Sequence, residues 1–144
     1  MPWDDSAGGG FTSGSPWFGF SPGRGDGRNV AAQRDAPRSL LSRYRALIRA
    51  RHASEALSRG GLKLFTPTQG AQAALAFLRT LGEERVLVVH NLTDYTVSAG
   101  PFTIPGSTPE VLFADSNVGA LSGTASGWQT NLSPRATGIW RLKP

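Results

Sequence analysis

The sequence predicts an α+β chain, and three observations predict it. One amphipathic helical stretch stands in the first half, a series of short apolar runs separated by turn residues follows it, and a glycine-rich segment carrying large aromatics precedes it. At 144 residues the chain fits one ordinary domain, or one small domain with an appendage. Apolar content of 39% with 18 Gly and 10 Pro implies much loop.

From Met1 to about Gly27 the chain reads as loop, because Gly8-Gly9-Gly10, Ser13-Gly14-Ser15-Pro16 and Ser21-Pro22-Gly23 are all turn chemistry. Trp3, Phe11 and Trp17 sit in this segment with a carboxylate pair, Asp4-Asp5. A glycine-rich loop has high chain entropy and no regular hydrogen bonding, so it cannot bury such rings by itself and needs a scaffold. Asn29 is placed to cap a short helical turn over Val30-Ala31-Ala32-Gln33, with Gln33 in reach of the cap.

The main helix is expected to start near Asp35-Ala36-Pro37, with Asp35 as cap and Pro37 in the first turn, and to end near Ala53. Leu40, Leu41, Tyr44, Leu47 and Ile48 recur at helical spacing and form one apolar stripe. Gly60-Gly61 then breaks the chain before a strand-like Leu62-Lys63-Leu64-Phe65. A second strand, Ala74 to Thr80, leads through a turn at Leu81-Gly82-Glu83-Glu84 into Arg85 to Asn91, whose continuous apolar run marks a central strand. Further strands are expected at Val97 to Ile104, Glu110 to Phe113, Trp128 to Leu132 and Thr137 to Leu142, which together read as an antiparallel sandwich or open barrel.

Composition excludes several function classes. There is no cysteine, hence no disulfide framework, thiolate metal site or cysteine nucleophile. No apolar run approaches the roughly 18 residues of a membrane helix. The start has neither the basic nor the apolar region of a signal peptide, so the location is left open, with the cytoplasm as default and export the alternative if an upstream segment is missing. The net charge of +5 is almost wholly arginine, and Arg38, Arg43, Arg45, Arg49 and Arg51 share one window. Their helical spacing reads as a solvated face, and no aromatics interleave to stack bases, so no nucleic-acid partner is expected. His52 and His90 lack ligand spacing, and the glycine runs match no dinucleotide or phosphate loop; no metal or cofactor is expected. Arg24-Gly25-Asp26 reads as an adhesion tripeptide and Asn91-Leu92-Thr93 as a glycosylation sequon, but both are short enough to arise by chance, and Asn91 more simply ends a strand.

Several spacings occur together in one order: Met1-Pro2-Trp3-Asp4, Gly10-Phe11-Thr12, Pro16-Trp17, Asn29-Val30-x-x-Gln33, and Ser39-Leu40-Leu41-x-x-Tyr44-Arg45-x-Leu47-Ile48-x-x-Arg51. In that order they resemble the carboxyl-terminal part of the α-amylase family of glycoside hydrolases, in its α-glucosidase and oligo-1,6-glucosidase branch. Asn91-Leu92-Thr93 and the closing Gly138-Ile139-Trp140-Arg141-Leu142 look like the family's β-sandwich tail. The resemblance implies a (β/α)8 barrel enzyme of which this chain holds the last loop, the last helix and the C-terminal β-domain. A complete barrel takes roughly 250 residues. Residues 1–56 would then be the end of the barrel and 57–144 the β-domain, with the absent barrel strands as packing partner of the leucine stripe. Met1 would match an internal methionine of the family's Arg-Thr-Pro-Met-(Gln or Pro)-Trp-Asp motif.

The resemblance also implies retaining hydrolysis of α-linked glucose oligosaccharides, which needs two carboxyl groups about 5–5.5 Å apart. The family carries its carboxylates in motifs such as Gly-x-Arg-x-Asp and His-Asp, neither of which is present, so no catalytic residue is assigned and the chain is expected to be inactive alone. Trp3, Asp4, Phe11 and Trp17 are the substrate-side loop candidates: the rings to stack on sugar faces or to anchor the loop, Asp4 to meet a sugar or to hold a turn. A stand-alone carbohydrate-binding or docking module built on the β-rich region is the alternative.

Overall fold

The structure, a computed structural model, describes residues 2–66 and 73–144, and Met1 lies outside it. It divides into two compact units, Met1–Ile48 and Arg49–Pro144. The first holds a 3-10 turn (Arg24–Asp26), helix α1 (Val30–Arg34) and most of helix α2 (Leu40–His52). The second holds the end of α2, helix α3 (Glu55–Arg59) and strands β1 (Gly61–Leu64), β2 (Ala74–Leu81), β3 (Glu84–Asn91), β4 (Val97–Phe102), β5 (Thr108–Ala114), β6 (Ser122–Thr124), β7 (Gly127–Leu132) and β8 (Thr137–Lys143). The boundary expected from sequence, at residue 56, falls inside α3.

In the first unit Asn29 caps α1 as expected, its Oδ1 accepting from the Ala32 amide at 2.8 Å. Gln33 does not close a capping box. Its side-chain amide instead donates to the Gly27 carbonyl at 3.3 Å, ahead of α1, and accepts from the Leu41 amide of α2 at 3.1 Å. Asp35 is the C-cap of α1, not the N-cap of α2, and α2 starts three residues after Pro37. Pro37 disfavours helical backbone at Ala36, and Ser39 supplies a better cap: its carbonyl accepts from Arg43 and its hydroxyl from the Ser42 amide at 3.1 Å. Along α2, Leu40, Tyr44 and Ile48 are exposed while Leu41 and Leu47 are half-buried.

The second unit is a sandwich of a five-stranded sheet, order β1-β2-β3-β8-β5, and a three-stranded sheet, order β4-β7-β6, antiparallel throughout. Strand β3 is central, as its apolar run predicts. Leu87 and Val89 turn inward with Ala76, Trp140 and Leu142 against Ala99, Phe102, Trp128 and Leu132 of the other sheet. Val86 and Val88 point the other way and are also buried. On that outer face α3 packs over β2 and β3, with Ala56 and Leu57 buried. Helix α3 and strand β6 were not expected from sequence, since each is too short to show a period. Strand β4 ends at Phe102, short of the expected Ile104.

Two close fits define this unit. The Trp140 indole folds back over Gly138 two residues earlier, so that a methyl at Gly138 would lie 2.0 Å from Trp140 Cη2. On the outer face, Glu84 Oε2 accepts from the Ala56 amide at 2.9 Å, and Ser54 caps α3 through the Leu57 amide at 3.1 Å. Glu84 also bonds Arg141 Nε at 3.0 Å, while Arg141 reaches Glu110 and the Ala53 carbonyl. Burial pushes the Glu84 carboxyl up, but the Ala56 amide, the Ser54 hydroxyl and Arg141 outweigh it and hold the group below its usual range.

Gly138→Ala should destabilise the chain by about 2–3 kcal/mol in urea unfolding, because the fully buried Trp140 cannot move aside. A loss under a few tenths of a kcal/mol would contradict the close fit. Since the Glu84 carboxyl is depressed in the fold, its stabilisation is present above the ordinary value of about 4.3 and is lost as pH falls through the lowered one. Glu84→Gln should therefore cost about 1–2 kcal/mol at neutral pH and progressively less under acid. A deficit that does not change with pH would contradict the assignment.

Candidate functional site

The glycine-rich loop is organised around the start of α1. The Val30 and Ala31 amides, unpaired within the helix, donate to the carbonyls of Pro2 and Trp3 at 3.1 and 2.8 Å. With Ala32 capped by Asn29, every amide of that first turn has an acceptor. The loop then closes on itself: the Trp3 amide donates to Gly9 at 2.8 Å, Gly9 to Ser6 at 2.9 Å, and Phe11 to Gly8 at 3.1 Å. Gly9 and Gly10 take φ of +60° and +76°, and a methyl at Gly10 would meet Trp3 Cβ at 2.7 Å, so the glycines are required by both angle and space.

Asp4 sits at the centre of the turn. Its Oδ1 accepts from the Ser6 hydroxyl at 2.5 Å and the Ser6 amide at 3.0 Å, and the Ser6 hydroxyl accepts in turn from the Gly10 amide at 3.2 Å. The Ser6 hydroxyl, then the Ser6 amide and the charge of Arg24, hold the Asp4 carboxyl below the usual range. This is an Asx turn, and the oxygen that makes it is engaged by the loop.

Closure of the turn places Trp3 and Phe11 side by side, ring centroids 6.0 Å apart and tilted by 53°. They remain 51% and 61% exposed, which leaves apolar ring surface facing outward. Trp17 is 93% exposed, and no ring contact joins it to the pair among the described residues. Three of the four residues singled out in the sequence thus meet, and Trp17 stands outside the cluster. Two members were not anticipated, Phe20 and Arg24, which approach the turn from the far end of the loop. The basic residue before Gly25 gave only the tripeptide reading, because contacts 17 residues apart within loop leave no period.

The remaining motifs resolve as structure. Asn91 is 1% exposed, with its amide nitrogen donating to Tyr95, Leu132 and Ser133 and its oxygen accepting from Thr93. That buried side chain ends β3 and ties the β3–β4 loop to the end of β7 and the loop after it. His90 lies 2.9 Å from the Thr137 hydroxyl, and no group of metal-ligating side chains occurs among the described residues. A shallow groove on the second unit is lined by Thr103, Ile104, Thr124, Ser126 and Trp128. The Thr124 hydroxyl donates to Gly127 and the Trp128 N–H to Ile104, so the groove's lining bonds to itself.

Residues 1–60 match the family described as "Alpha amylase, catalytic domain", and residues 75–125 match "Alpha-amylase SusG C-terminal domain". The chain is 37% identical over 94 residues to a probable alpha-glucosidase of Rhizobium meliloti, covering 65% of this chain and 16% of that protein. It is 32% identical over 119 residues to an oligo-1,6-glucosidase of Parageobacillus thermoglucosidasius, covering 82% of this chain and 21% of that protein. Among solved structures, the isomaltulose synthase of Erwinia rhapontici NX5, crystallised with D-glucose, superposes with a TM-score of 0.77 at 32% identity. That match covers 100% of this chain and 25% of the synthase. A trehalulose synthase MutB variant in complex with sucrose gives 0.78 at 33% identity, over 99% of this chain and 25% of the other. This chain therefore spans between about a sixth and a quarter of the length of these four proteins. It belongs to the α-amylase family of glycoside hydrolases, in which it corresponds to the end of the catalytic barrel and the β-domain that follows.

Proposed function

We propose that this chain is the carboxyl-terminal part of a retaining glycoside hydrolase acting on α-glucans or α-glucosides. Residues 1–56 supply the last barrel loop and helix, and residues 57–144 a structural β-domain. The observation that carries this reading is the Trp3–Phe11 pair, held half-exposed on a turn that requires glycine at Gly9 and Gly10, within the stretch that matches the catalytic domain. Loops at the C-terminal end of barrel strands are where such folds place their active sites. Pyranose rings carry apolar faces that pack on aromatics, and a tilted pair offers two such surfaces to one oligosaccharide.

In this reading Trp3 and Phe11 bind and orient sugar, and Asp4 fixes the turn beneath them through Ser6. Trp17 extends the apolar rim or anchors the loop on the barrel. The nucleophile and the acid/base belong to earlier strands, since the family's carboxylate motifs do not occur in this sequence. The exposed face of α2, Leu40, Tyr44 and Ile48, packs on the barrel.

The purified chain should give no turnover on an aryl α-glucoside or on maltooligosaccharides, and hydrolysis at enzyme-like rates would overturn the assignment of the carboxylates to other strands. In a maltotriose titration followed by NMR, the Trp3 indole and Phe11 ring signals should shift while those of the buried Trp128 and Trp140 stay fixed. Unmoved Trp3 and Phe11 signals would remove this loop from the substrate side.

A further inference from the structure

We propose that Arg24 is the positioning residue of the aromatic loop: stacked on Phe20 and bonded to Ala7, it holds the turn in the shape that presents Trp3 and Phe11 to a sugar. This rests on the reading of those two rings as the sugar-facing surface. The turn between Trp3 and Gly9 is closed from within by Asp4 and Ser6, but glycine at Gly8, Gly9 and Gly10 leaves it with little stiffness of its own. Arg24 braces it from outside. Its Nη1 donates to the Ala7 carbonyl at 3.1 Å, at the crest of the turn, and its guanidinium lies 4.7 Å above the Phe20 ring centroid. Phe20 in turn lies on the Gly9 backbone, where an added methyl would come within 2.7 Å of Phe20 Cζ. Guanidinium and ring therefore pack on one another, and each also meets the Ala7–Gly9 segment, whose Gly9 carbonyl accepts from the Trp3 amide.

Arg24 is itself held from the opposite side. It begins a 3-10 turn between left-handed Gly23 and Gly27, at φ of +90° and +80°. Its carbonyl accepts from the Asn29 side-chain amide at 3.0 Å, the same Asn29 that caps α1 and is 4% exposed. Gln33 then ties the Gly27 carbonyl to the Leu41 amide of α2. The brace thus runs without a break from the start of α2 to the aromatic pair. Only a planar, charged fork can stack on a ring and donate sideways at once, so lysine can replace the charge but not the geometry. The same placement sets aside the adhesion reading of Arg24-Gly25-Asp26, because the arginine is turned in against Phe20 rather than displayed.

The test uses the full chain with maltotriose as probe, comparing the wild type with Arg24→Lys, Arg24→Met and Phe20→Leu. The readouts are the Trp3 indole titration, amide exchange at Trp3 and Gly9, and exchange at Val30 to Ala32 as a control for α1. Arg24→Met and Phe20→Leu should weaken the maltotriose response about fivefold or more and speed exchange at Trp3 and Gly9, with α1 unchanged. Arg24→Lys should fall between Met and wild type. A wild-type response retained within twofold by Arg24→Met overturns the role of Arg24 and leaves the sugar-facing loop standing. Loss of α1 protection along with the response makes Arg24 a general structural residue and overturns the proposal too. No response in the wild type removes both readings together.

Discussion

The seat of Trp140 over Gly138 is the contact on which the second unit depends. The indole is the largest fully buried side chain and comes from β8, which pairs with both β3 and β5 and so joins the two halves of the five-stranded sheet. Its ring occupies the space a side chain at Gly138 would take, and from there it reaches the layer formed by Leu87, Phe102 and Leu142. Burying a ring of this size contributes on the order of 2–3 kcal/mol by itself. Its larger effect is to fix the depth at which the two sheets meet, which a smaller residue would leave undetermined.

The outer face of the same sheet is organised by charge as well as by packing. Glu84 opens β3, accepts from the first turn of α3 and pairs with Arg141 of β8, so one carboxylate joins helix and sheet. An anion at a helix N-terminus is favourable, and Arg141 neutralises it from the other side while bonding the Ala53 carbonyl just past α2. Asn91 does similar work at the far end of β3, where its side chain satisfies carbonyls from two loops. Strand β3 is thus pinned by a polar residue at each end and by Val86 to Val89 between them.

The elements legible in the sequence are those with a long period or a known cap. The apolar run of β3, the stripe of α2 and the Asn29 cap each depend on spacing within one segment, and each is where the sequence put it. Helix α3 has five residues and strand β6 three, too few for a period, and both exist because tertiary partners hold them: Glu84 for α3, and pairing with β7 for β6. The start of α2 was misplaced because Asp35 and Pro37 form a good local signal, while Ser39 does better in three dimensions by also bonding Gln33. Of the loop, the sequence offered Trp3, Asp4 and Phe11 through a family spacing. Arg24 and Phe20 were invisible, since their value lies in a stack between residues far apart in an aperiodic segment.

The two units differ in how they satisfy their apolar surface. Among the described residues the buried hydrophobic core lies wholly in the second unit, between its two sheets and under α3, although Leu62, Leu64, Leu75, Leu92, Tyr95 and Val111 there stay exposed; the first unit has no such core and exposes Trp3, Phe11, Trp17, Leu40, Tyr44 and Ile48. The β-domain thus carries the core, and the barrel-end segment is locally bonded in its backbone while its large apolar residues stay exposed. Native-state amide exchange on the isolated chain tests this most directly. Val86 to Val89 and Ile139 to Leu142 should exchange only through global unfolding, and Leu41 to Ile48 of α2 should exchange orders of magnitude faster through local opening. Protection of α2 equal to that of β3 and β8 would contradict the account.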